Sequence, residues 1–260
     1  AVADGGEGTM AALISTVGGE RHAVTVHDPV GRQIEASYAL INGNTAVIEM
    51  ASASGLTLLE PHERNPLLTS TYGTGELIVD ALDKGCRRFL ICLGGSATND
   101  AGMGMLQALG FKFYDFNGKE ITDCRGGRLH DIADLDDSFV PKVVREAQFI
   151  VACDVDTPFC GPEGAAPVFA PQKGADTEMV NKLDIGMASF AKVIEAQYGI
   201  NIVPMAGAGA AGGMGGGFRA FLNAILQRGI EMVLDAICFD QTIQGADLII
   251  TGEGKIDFQT

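Results

Sequence analysis

The sequence predicts an α/β fold: a mixed sheet with helices packed on it. Two observations carry this. Between residues 22 and 50, three β-like runs follow one another across turns too short for a crossover, which implies antiparallel pairing. From residue 74 onward, apolar strand-like runs alternate with helical ones, the pattern of parallel β/α units.

Thr9–Val17 has helical texture and closes at Gly18-Gly19. His22–His27, Gln33–Ile41 and Thr45–Met50 are the β-like runs, punctuated by Asp28–Arg32 and by Asn42-Gly43-Asn44. Thr74–Lys84 places Leu77, Ile78, Ala81 and Leu82 on one helical face and stops at Gly85. Phe89–Leu93 is a buried strand, 94–100 a loop and Ala101–Leu109 a short helix. Phe149–Cys153 is a second buried strand, and Asp176–Tyr198 a long helix. Ile200–Met205 reads as a strand leading into the glycine run 207–217, Phe218–Gln227 as a helix and Leu248–Thr251 as a last strand.

With 260 residues, 47% of them hydrophobic, the chain can bury a sizeable core as one large domain or two smaller ones. The net charge of −15 disfavours nucleic acid and anionic lipid as partners, and leaves an anionic substrate dependent on local donors and a metal ion. None of the six cysteines forms a CxxC pair and several sit in apolar runs, which implies reduced thiols in a reducing, cytoplasmic compartment. The histidines have no zinc spacing. No apolar run approaches the ~20 residues of a bilayer span. The chain starts and stops at strand-to-loop transitions, as expected of a segment of a longer protein.

Five loops follow predicted strand ends, where open α/β sheets bind ligands. Asp4-Gly5-Gly6-Glu7-Gly8-Thr9 offers amides and two hard carboxylates; a capped helix start explains it equally well. Gly94-Gly95-Ser96-Ala97-Thr98-Asn99-Asp100 concentrates polar groups that a packed core would have to satisfy. Asp154-Val155-Asp156-Thr157-Pro158 puts an aspartate at a strand end, suited to bind metal or take a hydroxyl proton. Arg64 and Lys173 are cations for an acid substrate, or else solvated surface charges. Gly207, Gly209 and Gly212 fit G-x-G-x-x-G, but no clean second strand ends in an acid about 20 residues on, Glu231 being the nearest and poorly placed, so an anion nest or close helix–sheet packing is the alternative to an NAD-dependent dehydrogenase. The fifth loop, residues 251–257, mixes glycines with Glu253, Lys255 and Asp257.

ADGGEGT at 3–9, RNPL at 64–67, YGTGELI at 72–78, GGSATND at 94–100, ACDVDTP at 152–158, PQKGA at 171–175 and TGEGKID at 251–257 together resemble the bacterial-type glycerate kinases that form 2-phosphoglycerate. The resemblance runs through the whole chain in order; Phe258 departs from it, where the family pattern has Ser. It implies transfer of phosphate from ATP, with Mg²⁺, to D-glycerate. It also implies a flavodoxin-like domain, here residues 1–20 and 246–260, interrupted by an inserted mixed α/β domain, residues 21–245. A monomer or homodimer is expected, and a non-catalytic domain that binds a small acid is the rival from outside enzymology.

Chemistry distributes roles over the motif positions. Asp154 or Asp100 would orient or deprotonate the glycerate hydroxyl. Ser96, Thr98, Asn99 and Arg64 or Lys173 would meet the substrate. Gly94, Gly95, Gly207, Gly209, Gly212, Gly213, Gly252, Glu253 and Lys255 would meet nucleotide phosphates. Asp4, Glu7 and Asp257 would hold Mg²⁺.

Overall fold

A computed structural model of the chain describes residue 6 and residues 8–248. Its strands are β1 (Glu20–His27), β2 (Gln33–Ile41), β3 (Thr45–Glu49), β4 (Arg88–Cys92), β5 (Lys112–Asp115), β6 (Ile132–Asp136), β7 (Gln148–Ala152) and β8 (Ile225–Gln227). Its α-helices are α1 (Thr9–Val17), α2 (Ala51–Ser54), α3 (Tyr72–Asp83), α4 (Met103–Ala108), α5 (Lys142–Glu146), α6 (Ala165–Phe169), α7 (Thr177–Tyr198), α8 (Ala210–Phe221), α9 (Gly229–Ala236) and α10 (Phe239–Thr242).

The six-stranded sheet runs β1-β2-β3-β4-β7-β8. β1, β2 and β3 form an antiparallel meander. β3, β4, β7 and β8 are parallel to one another. The expected mixed sheet with helices is thus the observed architecture. The β2–β3 turn works because Asn42 (φ 51°) and Gly43 (φ 75°) enter the left-handed region, which Asn and Gly tolerate best.

β3, β4 and β7 are covered on both faces, which is why they read as continuous apolar runs. On one face Met10 and Leu13 of α1 and Met232 and Val233 of α9 pack on Ala39, Ile41, Val47, Leu90, Cys92 and Ala152. On the other, Ile48, Phe89, Ile91, Phe149 and Val151 meet Leu77, Ile78 and Ala81 of α3, with Phe190 and Phe218 of α7 and α8 in the same core. Phe89 and Phe149 stack at 4.8 Å between centroids and Phe218 tilts onto Phe149 at 5.8 Å. Each such fully buried side chain contributes about 1.5–3 kcal/mol.

Three expectations need correction. Residues 200–205 are not a strand: Pro204 interrupts the run, and Val203 instead gives its carbonyl to the Phe159 N–H. The helix expected over 218–227 stops at Phe221, because Asn223 turns left-handed (φ 48°), and Ile225–Gln227 becomes the edge strand β8 beside β7. The glycine run 207–217 is not an open loop: all of it is buried, and it runs into α8, whose first turn is broken where Ala211, Gly212 and Gly213 turn left-handed (φ 51°, 68° and 91°). The small β5–β6 ribbon was not foreseen. The strand expected over 248–251 falls outside the described residues from 249 on.

Candidate functional site

Because β3, β4, β7 and β8 share one direction, their carboxyl ends lie along one edge of the sheet. There the exits of β4 and β7 line a cavity of about 370 Å³. Gly6 before α1, Gly94, Gly95 and Ser96 after β4, Asp154 after β7, and Ala210 and Ala211 at the start of α8 line it together. Leu56, Leu93, Val155 and Phe169 supply its apolar wall. Four of the five candidate loops therefore meet at one place. Asp4, Glu7, Gly252, Glu253, Lys255 and Asp257 lie outside the described residues.

The 94–100 loop is held in place along its length. Leu56 N–H donates to the Gly95 carbonyl and Ala97 N–H to the Ser54 carbonyl. Thr69 Oγ1 donates to the Ala97 carbonyl at 3.0 Å. From below, Lys173 Nζ donates to Ser96 Oγ at 2.8 Å and to the Thr98 carbonyl at 2.7 Å. The loop's exposed part is thereby confined to Gly94 and Gly95, with Ser96 half-buried.

Lys173 is 1% exposed, so the surface-charge reading of this lysine is excluded. Its ammonium is sealed behind Ser96 and Thr98, and it is not among the cavity-lining side chains. Burial pulls its pKa down from the ordinary lysine range to about 7, against an upward pull from Asp100. Between about pH 7 and the ordinary lysine value the folded chain holds fewer protons than the unfolded one, so this group's contribution improves as pH rises through that window. The gain is at most about 1.4 kcal/mol per pH unit. Urea denaturation at pH 7 and pH 9 should show this gain in the wild type and lose it in Lys173→Met.

Asp100 is not at the cavity either. It is fully buried. Its Oδ2 accepts from Thr71 N–H (2.8 Å), Thr71 Oγ1 (2.8 Å) and Gly104 N–H (3.2 Å), and its Oδ1 from Gly102 N–H (3.1 Å). Burial pushes its carboxyl above the usual aspartate range, while these donors pull against that. In this position it fastens α3 to α4 and has no face open to a substrate. Thr98 and Asn99 are fully buried too; Asn99 Nδ2 points at Met187 Sδ, 3.1 Å away. Arg64 is half-buried, and its carbonyl and Cβ pass against Gly174.

The glycines of the 207–217 run are buried, and each stands where a side chain would collide. A Cβ on Gly207 would lie 2.6 Å from Cys153 Sγ, on Gly209 2.3 Å from the Pro158 carbonyl, on Gly212 2.2 Å from the Thr98 carbonyl and on Gly213 2.6 Å from Met187 Cε. Close packing accounts for glycine at 207, 209, 212 and 213. Without a strand over 200–205 the dinucleotide fingerprint also lacks its context.

Asp154 is exposed, and its Oδ1 accepts the first N–H of α9, from Gly229, at 2.9 Å. Its Oδ2 accepts no hydrogen bond among the described residues, and Asp154 lines the cavity. Sequence reasoning missed Thr71, which relays between Asp100 and the Met105 N–H, and Glu49 at the end of β3, whose Oε1 takes the Met10 N–H at 2.9 Å. Thr71 adjoins the 72–78 motif and Glu49 stands near the end of a β-like run, and neither carries a further local signal. Among the described residues no group of three His, Cys, Asp or Glu is arranged to hold a metal ion, and no helix is long and apolar enough to cross a membrane.

The model of the glycerate kinase family matches residues 1–260. The chain is 48% identical over 260 residues to a glycerate kinase of Halalkalibacterium halodurans, covering all of this chain and 68% of that protein. It is 47% identical over 261 residues to a glycerate 2-kinase of Escherichia coli K12, again with 68% of the relative covered. A crystal structure described as "putative glycerate kinase 2 from Salmonella typhimurium LT2" superposes with a TM-score of 0.95 at 46% identity, covering all of this chain and 69% of that one. Motifs, sheet topology and these matches agree, and the chain belongs to the glycerate kinase family.

Proposed function

We propose that this chain carries the active site of a phosphotransferase that moves a phosphoryl group from ATP to D-glycerate and gives 2-phosphoglycerate. The observation that carries the reading is the single cavity into which the 94–96 loop, Asp154 and Gly6 converge, in a chain of this family. Phosphoryl transfer needs alignment and neutralised charge more than covalent help from the protein. The exposed Gly94 and Gly95 let a phosphate approach the backbone without a Cβ in the way, so the loop fits the nucleotide's phosphate end.

Mg²⁺ would be held by oxygen ligands of the type of Asp4, Glu7 and Asp257, and when bound would neutralise phosphate charge. Asp154 acts on the acceptor: its Oδ2 takes the glycerate hydroxyl proton while Oδ1 stays anchored to Gly229. The apolar wall of Leu56, Leu93 and Phe169 keeps water from competing as acceptor. Arg64 is the cation proposed for the glycerate carboxylate. The division into a flavodoxin-like part, residues 1–20 and 246–260, and an inserted part, residues 21–245, belongs to the same proposal, as does a cytoplasmic location.

Phosphorus NMR of the full-length protein with ATP, Mg²⁺ and D-glycerate should show ADP and a 2-phosphate ester growing together. ATP unchanged by glycerate, or ester at the other hydroxyl, ends the reading. Asp154→Asn keeps an acceptor for the Gly229 N–H and so keeps the fold, yet should lower turnover by about 10²-fold or more. Turnover within twofold of wild type removes Asp154 from the role.

A further inference from the structure

Ser96 lines the cavity and accepts a hydrogen bond from Lys173 Nζ. A serine hydroxyl has one proton and two lone pairs. Lys173 Nζ, 2.8 Å away, occupies a lone pair, so the Ser96 proton is left to point toward the cavity. The N–H groups of Gly94, Gly95 and Ser96 have no backbone partner among the described residues, and Gly95 turns left-handed at φ 76°. Successive free amides around a left-handed glycine form a concavity for an anion.

We propose that this corner of the cavity is a phosphoryl subsite in which the charge of Lys173 reaches the anion through the Ser96 hydroxyl, so that binding the anion takes up a proton. The assignment deepens the phosphotransferase reading and rests on it for the identity of the anion. Lys173 here is a positioning residue, since it never touches the ligand.

The charged groups around Lys173 are few. Asp100 is the one whose field reaches it. Asp176, three residues on, is turned to the Met179 N–H of its own helix, and Arg64 passes Gly174 with its carbonyl and Cβ. Among the described residues no carboxylate bonds the ammonium, and burial leaves it poised near neutrality, with a pKa of about 7. An anion one hydroxyl away favours the charged form. Above pH 7 that form must first be made, so affinity should fall with rising pH by up to about tenfold per unit.

Sulfate is the probe, because it is tetrahedral and does not titrate near neutrality. Calorimetry on the full-length protein from about pH 6.5 to 9 should show weakening affinity and buffer-dependent heats that report proton uptake. Lys173→Met should abolish both. Ser96→Ala keeps the lysine and disturbs little packing; it should weaken sulfate binding and flatten its pH dependence. It therefore decides the matter even where Lys173→Met does not fold. Wild-type binding independent of pH, or an unchanged slope in Ser96→Ala, overturns the proposal. A slope seen with D-glycerate and not with sulfate overturns the phosphoryl assignment. Transfer from ATP to glycerate, assayed alongside, separates the two ideas: proton-linked sulfate binding without transfer sinks only the kinase reading, and transfer with pH-independent sulfate binding sinks only the subsite.

Discussion

Asp100→Ala is expected to lower stability by about 4 kcal/mol, because three buried N–H groups and a hydroxyl lose their acceptor at once. Thr71, Gly102 and Gly104 all donate to this carboxylate, and the site is fully buried. A single unsatisfied buried donor costs about 1–3 kcal/mol; partial relaxation of the Thr71 hydroxyl keeps the total below the sum. Asp100→Asn retains one acceptor oxygen and should cost about half as much. Urea denaturation measures both, and a loss under 1 kcal/mol for the alanine variant would show that the loop does not depend on this anion. Because Asp100 ends the 94–100 loop, nucleotide affinity should weaken in the same variants, while a true catalytic base would leave stability alone.

Gly212→Ala is the second large effect, expected at about 3 kcal/mol or more. The backbone there is left-handed at φ 68°, which costs an alanine about 1–2 kcal/mol before any contact is counted. The added Cβ would stand 2.2 Å from the Thr98 carbonyl and 2.5 Å from Asn99 Cα. Both neighbours are backbone atoms of the loop that Lys173 and Ala101 hold, the latter through its N–H to the Gly212 carbonyl at 3.0 Å. The loop and α8 must separate to make room, so ligand binding should fall together with the melting temperature. For a chain of this size 3 kcal/mol corresponds to roughly 6–12 °C. A variant with an unchanged melting temperature would mean that the two segments slide apart freely.

The legible parts of this fold are those fixed by neighbours in sequence. Alternation and Asn-Gly chemistry specify the 33–41 strand and its turn to residue 45, and the 3.6-residue period specifies the buried face of α3. The strand-end loops were legible as a set, because glycines and carboxylates after apolar runs have few uses in a core. What depends on distant residues was not. Nothing in Pro171-Gln172-Lys173-Gly174 announces a buried ammonium, since its partners lie 77 and 75 residues away. Phe218–Gln227 is apolar enough for one helix, and only the left-handed Asn223 divides it into a helix end and a strand. The packing reason for the glycine run was not legible either, because sequence shows missing side chains without showing the Thr98, Pro158 and Met187 atoms that fill their space.

The antiparallel meander has a practical use. The Asn42-Gly43-Asn44 turn is exposed and leads into the amino end of β3, a full strand length from the edge where the cavity lies. A dye, an affinity tag or a grafted peptide placed at that turn would ride on a rigid hairpin while leaving the reacting groups undisturbed, making it the natural handle for watching ligands come and go.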